Sequence, residues 1–304
     1  MTKLHRIRTV RDFSELMGHR DTHPLVSVID YASLPPVPLT MNDYGVYGIF
    51  CHDEAELRLG YGCGRYEYGE STLICVAPGQ IGGAIDTGER VQLTGWSLIF
   101  HPDLLRGTAL ARQIRSYTFF NYASDEALSM TIEEHETFIG LMRLLQRELA
   151  TPADRNQRRI IVAYVELILD LCQRFYDRTA ADDRGRVRSE DNDTLRRFEA
   201  ELKGYYDSGM QHTRGVPGIK YLAARLSMTP NYLGDVVKKI TGNTAGSLIR
   251  RFVIDLAKDL LATDRTIGEV AYECGFDYPQ HFTRMFRQAT GQTPSGYRRT
   301  RRGA

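Results

Sequence analysis

Side chains able to do covalent or metal chemistry are few and scattered in this chain. The run Cys51-His52-Asp53-Glu54 holds four ligand-type residues, but neighbours on a strand point to opposite faces and cannot all converge on one ion. We read it as a strand-end loop and expect no metal. His5, His19, His23, His52 and His101 are isolated, with no H-x-H pair, and no G-x-S-x-G, phosphate loop or H-E-x-x-H is present. Glycines in LGYGCGRYEYGE lack a strand-to-helix context and read as hairpin residues. Neither catalysis nor a cofactor is expected.

Ionic chemistry is better represented. From Gln211 to Ala304 there are 15 Lys plus Arg against 7 Asp plus Glu, a net of +8, although the 304-residue chain totals only +1. Residues 1–210 therefore carry a net of −7. Lys and Arg neutralise phosphates and drive nucleic-acid affinity, so the basic C-terminal stretch is where duplex DNA is expected. The terminal run YRRTRRGA extends it; such ends are often only solubilising.

The elements that would position those charges occur twice. IKYLAARLSMTPNYLGDVVKKITG spans Ile219–Gly242, and IGEVAYECGFDYPQHFTRMFRQATG spans Ile267–Gly291. Ile219, Leu222, Ala223 and Leu226 precede Ile267, Val270, Ala271 and Cys274 by 48 residues; past the turn the offset is 49, matching Leu233, Val237, Thr241 and Gly242 with Phe282, Phe286, Thr290 and Gly291. Each copy reads as helix, tight turn, helix. Thr229 with Pro230 marks a helix start, because the hydroxyl accepts an orphan N–H and proline lacks one at the first position. Thr266 and Glu269 form a capping box, and Gly275 and Pro279 punctuate the second turn. This is the helix-turn-helix pattern, whose second helix can enter a major groove.

Between the copies, Thr244 is a candidate N-cap, and Ile249, Phe252, Val253, Leu256, Leu260 and Leu261 trace an apolar stripe over 245–262. A helix of ~18 residues spans ~27 Å, which can hold two recognition helices near the ~34 Å of one DNA turn.

Residues Gly218–Arg299 resemble the paired helix-turn-helix domain of the AraC/XylS family of bacterial transcription regulators. LAARLSMTPNYL, KKITG, IGEVAYECGF, HFTRMFRQATG and the closing TPSGYRR carry the likeness, over a little more than a quarter of the chain. FEAELKGYYDSGMQHTRGVPGIKYLA also resembles a subgroup with a preceding helix, here about Asp193 to Ser208. The resemblance implies that Pro279, Gln280, Thr283 and Arg284 face bases, with Arg287 also contacting DNA. Arg284 can fork onto guanine and Gln280 can pair with adenine. The equivalents in the first copy are Asn231, Gly234 and Asp235. Gly234 offers no side chain, and Asp235 can accept from cytosine but repels phosphate; a solvent-facing or lysine-paired Asp235 is the alternative. Lys238 and Lys239 are assigned to phosphates, which position rather than specify.

Upstream, MTKLHRIRTV lacks the apolar core and cleavage site of a secretory signal, and no run approaches 18 apolar residues. Cys51, Cys63, Cys75, Cys172 and Cys274 include no C-x-x-C pair, which suits a reducing cytoplasm. The length suggests two domains.

PLVSVIDY, YGVYGIF, AELRLGY, GRYEYGE, STLICVAP and LTGWSLIF read as short strands, the pattern of a sandwich or barrel. Pro102 opens a helical turn. The resemblance implies an α+β chain with a cupin-like effector barrel over 1–130. Tyr47, Tyr66, Tyr68 and Trp96 could line a pocket or fill the core, filling being commoner; effector residues are not identifiable.

Thr131 and Glu134 form another capping box for a helix to about Ala150, with Phe138, Met142, Leu145 and Leu149 as its seam. A helix from about Arg155 to Arg178 presents Ile160, Tyr164, Leu167, Leu171 and Phe175. The hairpin 131–178 can cover the barrel or form the dimer interface common in the family. Residues 179–193, TAADDRGRVRSEDND, read as a linker, and 194–304 as the DNA-binding domain. The expected protein is a cytoplasmic, homodimeric, effector-responsive transcription regulator, with RNA polymerase among the partners the resemblance allows. The alternatives are a cupin-type metal enzyme fused to a DNA-binding tail and an architectural DNA-binding protein.

Overall fold

The computed structural model describes residues 4–53, 59–61, 64–66, 72–84, 90–120, 128–182 and 190–302. The chain divides into two compact units, Met1–Asn192 and Asp193–Ala304, giving a mixed α+β first half and a helical second half.

In the first unit, β1 (Leu4–Ile7) leads into α1 (Val10–Met17). Thr9 and Asp12 cap α1 reciprocally, and Gly18 ends it at φ 72°. There follow β2 (Val26–Asp30), β3 (Val37–Pro38), β4 (Met41–Tyr44), β5 (Tyr47–His52), β6 (Leu59–Tyr61), β7 (Gly64–Tyr66), β8 (Thr72–Val76), β9 (Ile81–Ala84), β10 (Arg90–Val91) and β11 (Gly95–Phe100). A 3-10 turn at Pro102–Leu105, short helix α2 (Leu110–Gln113) and β12 (Leu128–Ser129) precede the helices α3 (Ile132–Ala150) and α4 (Gln157–Asp182).

Five strands pair in the order β1-β4-β9-β6-β7, five as β12-β8-β5-β11-β2, and β10 pairs with β3. The described sheets do not close on themselves. The glycine-rich stretch does form a hairpin, with Tyr61 opposite Gly64; Cys63 and Tyr68, and the side chain of Tyr66, lie outside the described residues.

Strand β5 shows how the sheets are covered. Its register sets Cys51 opposite Leu73 on β8 and Trp96 on β11. Ile49 and Cys51 share one buried core with Leu73, Cys75, Trp96, Leu98, Phe100 and the inner faces of α3 and α4. Phe50 and His52 turn to the other side, as alternation requires. There Phe50 meets the Tyr44 ring of β4 at 6.1 Å, and His52 meets Tyr31 at 5.3 Å. The helical hairpin therefore covers one face of the sheet and the second sheet covers the other. Tyr47 stacks on Phe100 at 5.0 Å, and Trp96 is only 7% exposed, with Arg143 5.8 Å above its ring. Both fill the core.

The seam of α3 falls on Phe138, Ile139, Met142, Leu145 and Leu149, including every expected position. That of α4 does not. Ile161, Val165, Ile168, Leu169, Cys172 and Phe175 are buried, whereas Ile160 and Leu167 are 36% and 46% exposed. Of the expected positions, Phe175 is buried and Tyr164 and Leu171 pack half-buried against the core; an adjacent stripe with the same 3-4 spacing drew the expectation outward at Ile160 and Leu167. Nor is 179–193 wholly irregular. Helix α4 continues through the good helix formers Ala180 and Ala181, and α5 (Glu190–Asp207) begins with Asp191 and Asp193 at its favourable positive end. Residues 183–189 lie outside the described set.

The second unit continues from α5 with α6 (Gln211–Arg214), α7 (Ile219–Arg225), α8 (Pro230–Thr241), α9 (Ala245–Leu261), α10 (Ile267–Glu273), α11 (Pro279–Thr290) and α12 (Pro294–Arg302). Leu222, Ala223, Leu226, Leu233 and Val237 of the first repeat are buried, as are their counterparts Val270, Ala271, Cys274, Phe282 and Phe286. Helix α9 buries Leu248, Ile249, Val253, Ile254, Ala257 and Leu261, while Phe252, Leu256 and Leu260 are only half-buried. The spacer stripe is thus rotated from the expected one, because this helix packs against α8 and α10 and needs a wider apolar face than a single seam.

Candidate nucleic-acid interface

The second helices of the two repeats open on a proline and end by matching chemistry, but only α8 has a side-chain cap at its start. Thr229 Oγ1 accepts from the Tyr232 N–H, and Pro230 occupies the first turn of α8. Helix α11 also opens on a proline, Pro279, but Tyr278 provides no side-chain cap. At the far ends, Thr241 and Thr290 each donate a hydroxyl to the carbonyl four residues back (2.7 and 2.8 Å), and Gly242 and Gly291 take left-handed φ of 69° and 76°. One hydrogen-bond scheme is used twice.

The turns differ. At the shared offset of 48, Ser227 and Gly275 both have positive φ, 59° and 88°. Ser227 is the non-glycine exception among the described residues and carries the usual left-handed cost. Gly275 is packed against the backbone of Gly215 and Val216.

Helix α5 braces both repeats. Tyr205 donates to the Gly215 carbonyl (2.8 Å), and its ring meets Tyr221 of α7 edge-on. Tyr206 donates to the Cys274 carbonyl (3.3 Å) and packs on Phe252 of α9. Arg225 of α7 pairs with Glu201 of α5 at 2.7 Å. At the other end, Tyr297 of α12 packs edge-on to Phe286, and Arg298 donates to the Leu261 carbonyl.

With the apolar side of α11 anchored by Phe282 and Phe286, its opposite side is polar. Pro279, Gln280, Arg284 and Arg287 are exposed and Thr283 is half-buried. Gln280, Thr283, Arg284 and Arg287, with Gln288 and Thr293, line one shallow surface depression. Neither Arg284 nor Arg287 pairs with a carboxylate among the described residues, so two guanidiniums stand ready for an external anion.

In α8, Leu233, Val236 and Val237 face inward. Asn231, Asp235, Lys238 and Lys239 are exposed, and Gly234 is half-buried. A Cβ at Gly234 would meet only the Ile219 Cδ1 at 3.4 Å, an ordinary contact.

Tyr232 and Tyr278, exposed by 46% and 59%, flank the two helix starts, and Tyr278 packs edge-on to His281. Sequence reasoning missed both tyrosines, along with Gln288 and Thr293. For the tyrosines the available signal was nearness to the opening prolines, Tyr278 directly before Pro279 and Tyr232 two residues after Pro230.

Elsewhere, the run Cys51–Glu54 is not wholly a loop, because Cys51 and His52 end β5 and Asp53 follows in a bend. Alternation does separate His52 from Cys51 and Asp53, but those two share a face, and His135 of α3 joins them from another element. Glu54 lies outside the described residues.

Residues 222–300 match a helix-turn-helix domain family. The C-terminal unit carries a helix-turn-helix domain of the AraC type. Among curated proteins, an uncharacterized transcriptional regulatory protein, YesN of Bacillus subtilis, is 37% identical over 82 residues, covering 26% of this chain and 22% of its own length. The Transposon Tn10 TetD protein of Escherichia coli is 40% identical over 81 residues, covering 26% of this chain and 59% of its own. The chain thus spans less than two thirds of the length of these relatives. Among solved structures, a probable AraC family transcriptional regulator from Rhodopseudomonas palustris is 21% identical, covers 36% of this chain and 97% of its own, and has a TM-score of 0.30. Among the described residues, no helix is long and apolar enough to cross a membrane.

Proposed function

We propose that the chain is a transcription regulator that grips duplex DNA through its C-terminal repeat and is governed by its N-terminal unit. The observation that carries this reading is the exposed polar side of α11, where Gln280, Thr283, Arg284 and Arg287 stand together without internal ion pairs, on a helix held by Phe282 and Phe286. Arg284 and Gln280 would read base edges. In α8, Asn231 would face bases, with Asp235 accepting from a cytosine, and Lys238 and Lys239 would hold phosphates. The unit from 194 onward would be the DNA-binding domain, with α9 setting the separation of the two reading helices.

The N-terminal unit would be a cupin-like effector domain, with α3 and α4 as the self-association surface of a homodimer. Buried Asn42, which donates to Tyr44 Oη at 3.2 Å, and buried His52 lie on the sides where the two sheets face each other. A few polar groups among aromatic walls are what a small-molecule site needs. Exposed Leu144, Ile160 and Leu167 on the hairpin support an interface there. An effector would act through different affinities for two arrangements of the dimer.

In vitro selection of bound duplexes with the purified chain tests the reading. The expected yield is a motif with two contacts about one helical turn apart, repeated if the chain binds as a dimer. Recovery of unrelated duplexes with equal affinity refutes it.

A further inference from the structure

We propose that Cys51, Asp53 and His135 form a binding site for a divalent cation of the zinc class. The Cys51 Sγ, an Asp53 carboxylate oxygen and a His135 ring nitrogen lie within 4.8 Å of one another. The site is built from two elements. Cys51 sits on β5 and Asp53 just past its end, two residues on and therefore on the same side; His135 lies in the first turn of α3.

The donors suit that chemistry. Thiolate, imidazole and carboxylate are the ligand types of Zn²⁺, and three protein ligands with one open position give its tetrahedral set. His135 Nε2 is 3.3 Å from Asp53 Oδ1. It is shielded from solvent, yet makes no hydrogen bond among the described residues. Donors around a tetrahedral zinc stand ~3.3–3.8 Å apart, given metal–ligand distances of ~2.0–2.3 Å, so closing 4.8 Å takes about 1 Å of adjustment. Asp53, at the end of its strand and about half-exposed, can supply it. Cys51 is fully buried, and its opposite register partners Leu73 and Trp96 hold its backbone.

Without an ion the thiol stays protonated: burial, then Asp53 and Cys172, push Cys51 up to about 12. A bound cation would replace that proton, as metal binding to cysteine generally does. The ion would then fasten the end of β5 to the start of α3. Cys75 and Cys172 are also buried in this core, but only Cys51 stands with Asp53 and His135.

Cobalt(II) titration of the full-length protein tests the site, because thiolate coordination gives a near-ultraviolet charge-transfer band. One equivalent of Co²⁺ should bind with that band, and Zn²⁺ should displace it. Cys51→Ser should abolish the band, while Cys75→Ser and Cys172→Ser should keep it. Asp53→Asn and His135→Gln should weaken binding at least ~10-fold, the loss that follows even from removing groups that only support metal ligands. Asp53→Asn changes a half-exposed side chain, so it serves if Cys51→Ser fails to fold. Absence of cobalt binding, a band that survives Cys51→Ser, or unchanged affinity in Asp53→Asn would overturn the assignment.

Discussion

A Cβ on Gly275 would stand 2.9 Å from the carbonyl carbon of Gly215 and 3.0 Å from the Val216 nitrogen. The second turn is therefore closed by backbone against backbone, at a φ of 88° that other residues resist. Ser227, its counterpart in the first turn, bears the same left-handed geometry at φ 59°. Gly275→Ala should destabilise the C-terminal unit by about 2–4 kcal/mol, from strain and overpacking together. Ser227→Gly should stabilise it by about 0.5 kcal/mol, the left-handed relief exceeding the added unfolded-state freedom. Urea unfolding of the two variants measures both.

Arg284 and Lys238 should separate specificity from positioning. Arg284→Ala should cost about 1–3 kcal/mol on the selected motif and relax preference at one base pair. Lys238→Ala should weaken all duplexes alike and reduce the salt slope by about 1. Binding isotherms at several salt concentrations, on selected and scrambled DNA, distinguish the two patterns. An unchanged salt slope for Lys238→Ala would remove it from the phosphate contacts.

Acid should loosen the start of α10. Glu269 is held below the usual carboxylate range first by the Thr266 backbone N–H and then by the Thr266 hydroxyl. A group depressed in the folded state contributes its stability above the ordinary range and loses it as pH falls through the lower native value. Glu269→Gln, which keeps a weaker cap without the charge, should flatten the acid limb of stability against pH. Thermal melts of both proteins from neutral pH downward provide the comparison, and superimposable acid limbs would exclude the effect.

The outer stripe of α4 offers a different test. Leu167 is 46% exposed on a helix whose inner side is already filled. Leu167→Glu should leave the melting temperature nearly unchanged and weaken self-association by ~10-fold or more, as a lost central anchor does. Sedimentation over a concentration series reports it; a variant that self-associates like the unaltered chain would move the interface elsewhere.

Local rules were legible wherever one residue type has one use. Thr131 with Glu134, Thr229 with Pro230, Thr244, and Thr266 with Glu269 all mark helix starts at the expected positions. The inner seam of α4 was not legible, because Ile160, Tyr164 and Leu167 repeat with the same spacing as Ile161, Val165 and Ile168. Helix α1 went unread although Thr9 and Asp12 cap it, since eight residues give little periodicity. The short strands β1, β3, β4, β9, β10 and β12 also went unread, for they exist through partners distant in the chain rather than through their own pattern. The convergence of His135 on Cys51 and Asp53 is of the same kind. Strand alternation excludes a four-residue cluster but says nothing of what a helix brings from elsewhere.

Gly234 leaves the polar side of α8 without a side chain at one position, and the space above it is bounded by a single methyl group of Ile219. The first repeat can accordingly accept a side chain there while its fold stays as it is. If α8 reads bases as proposed, preference on that half is open to revision by one codon at a time, whereas the crowded turn of the other half holds its glycine in place.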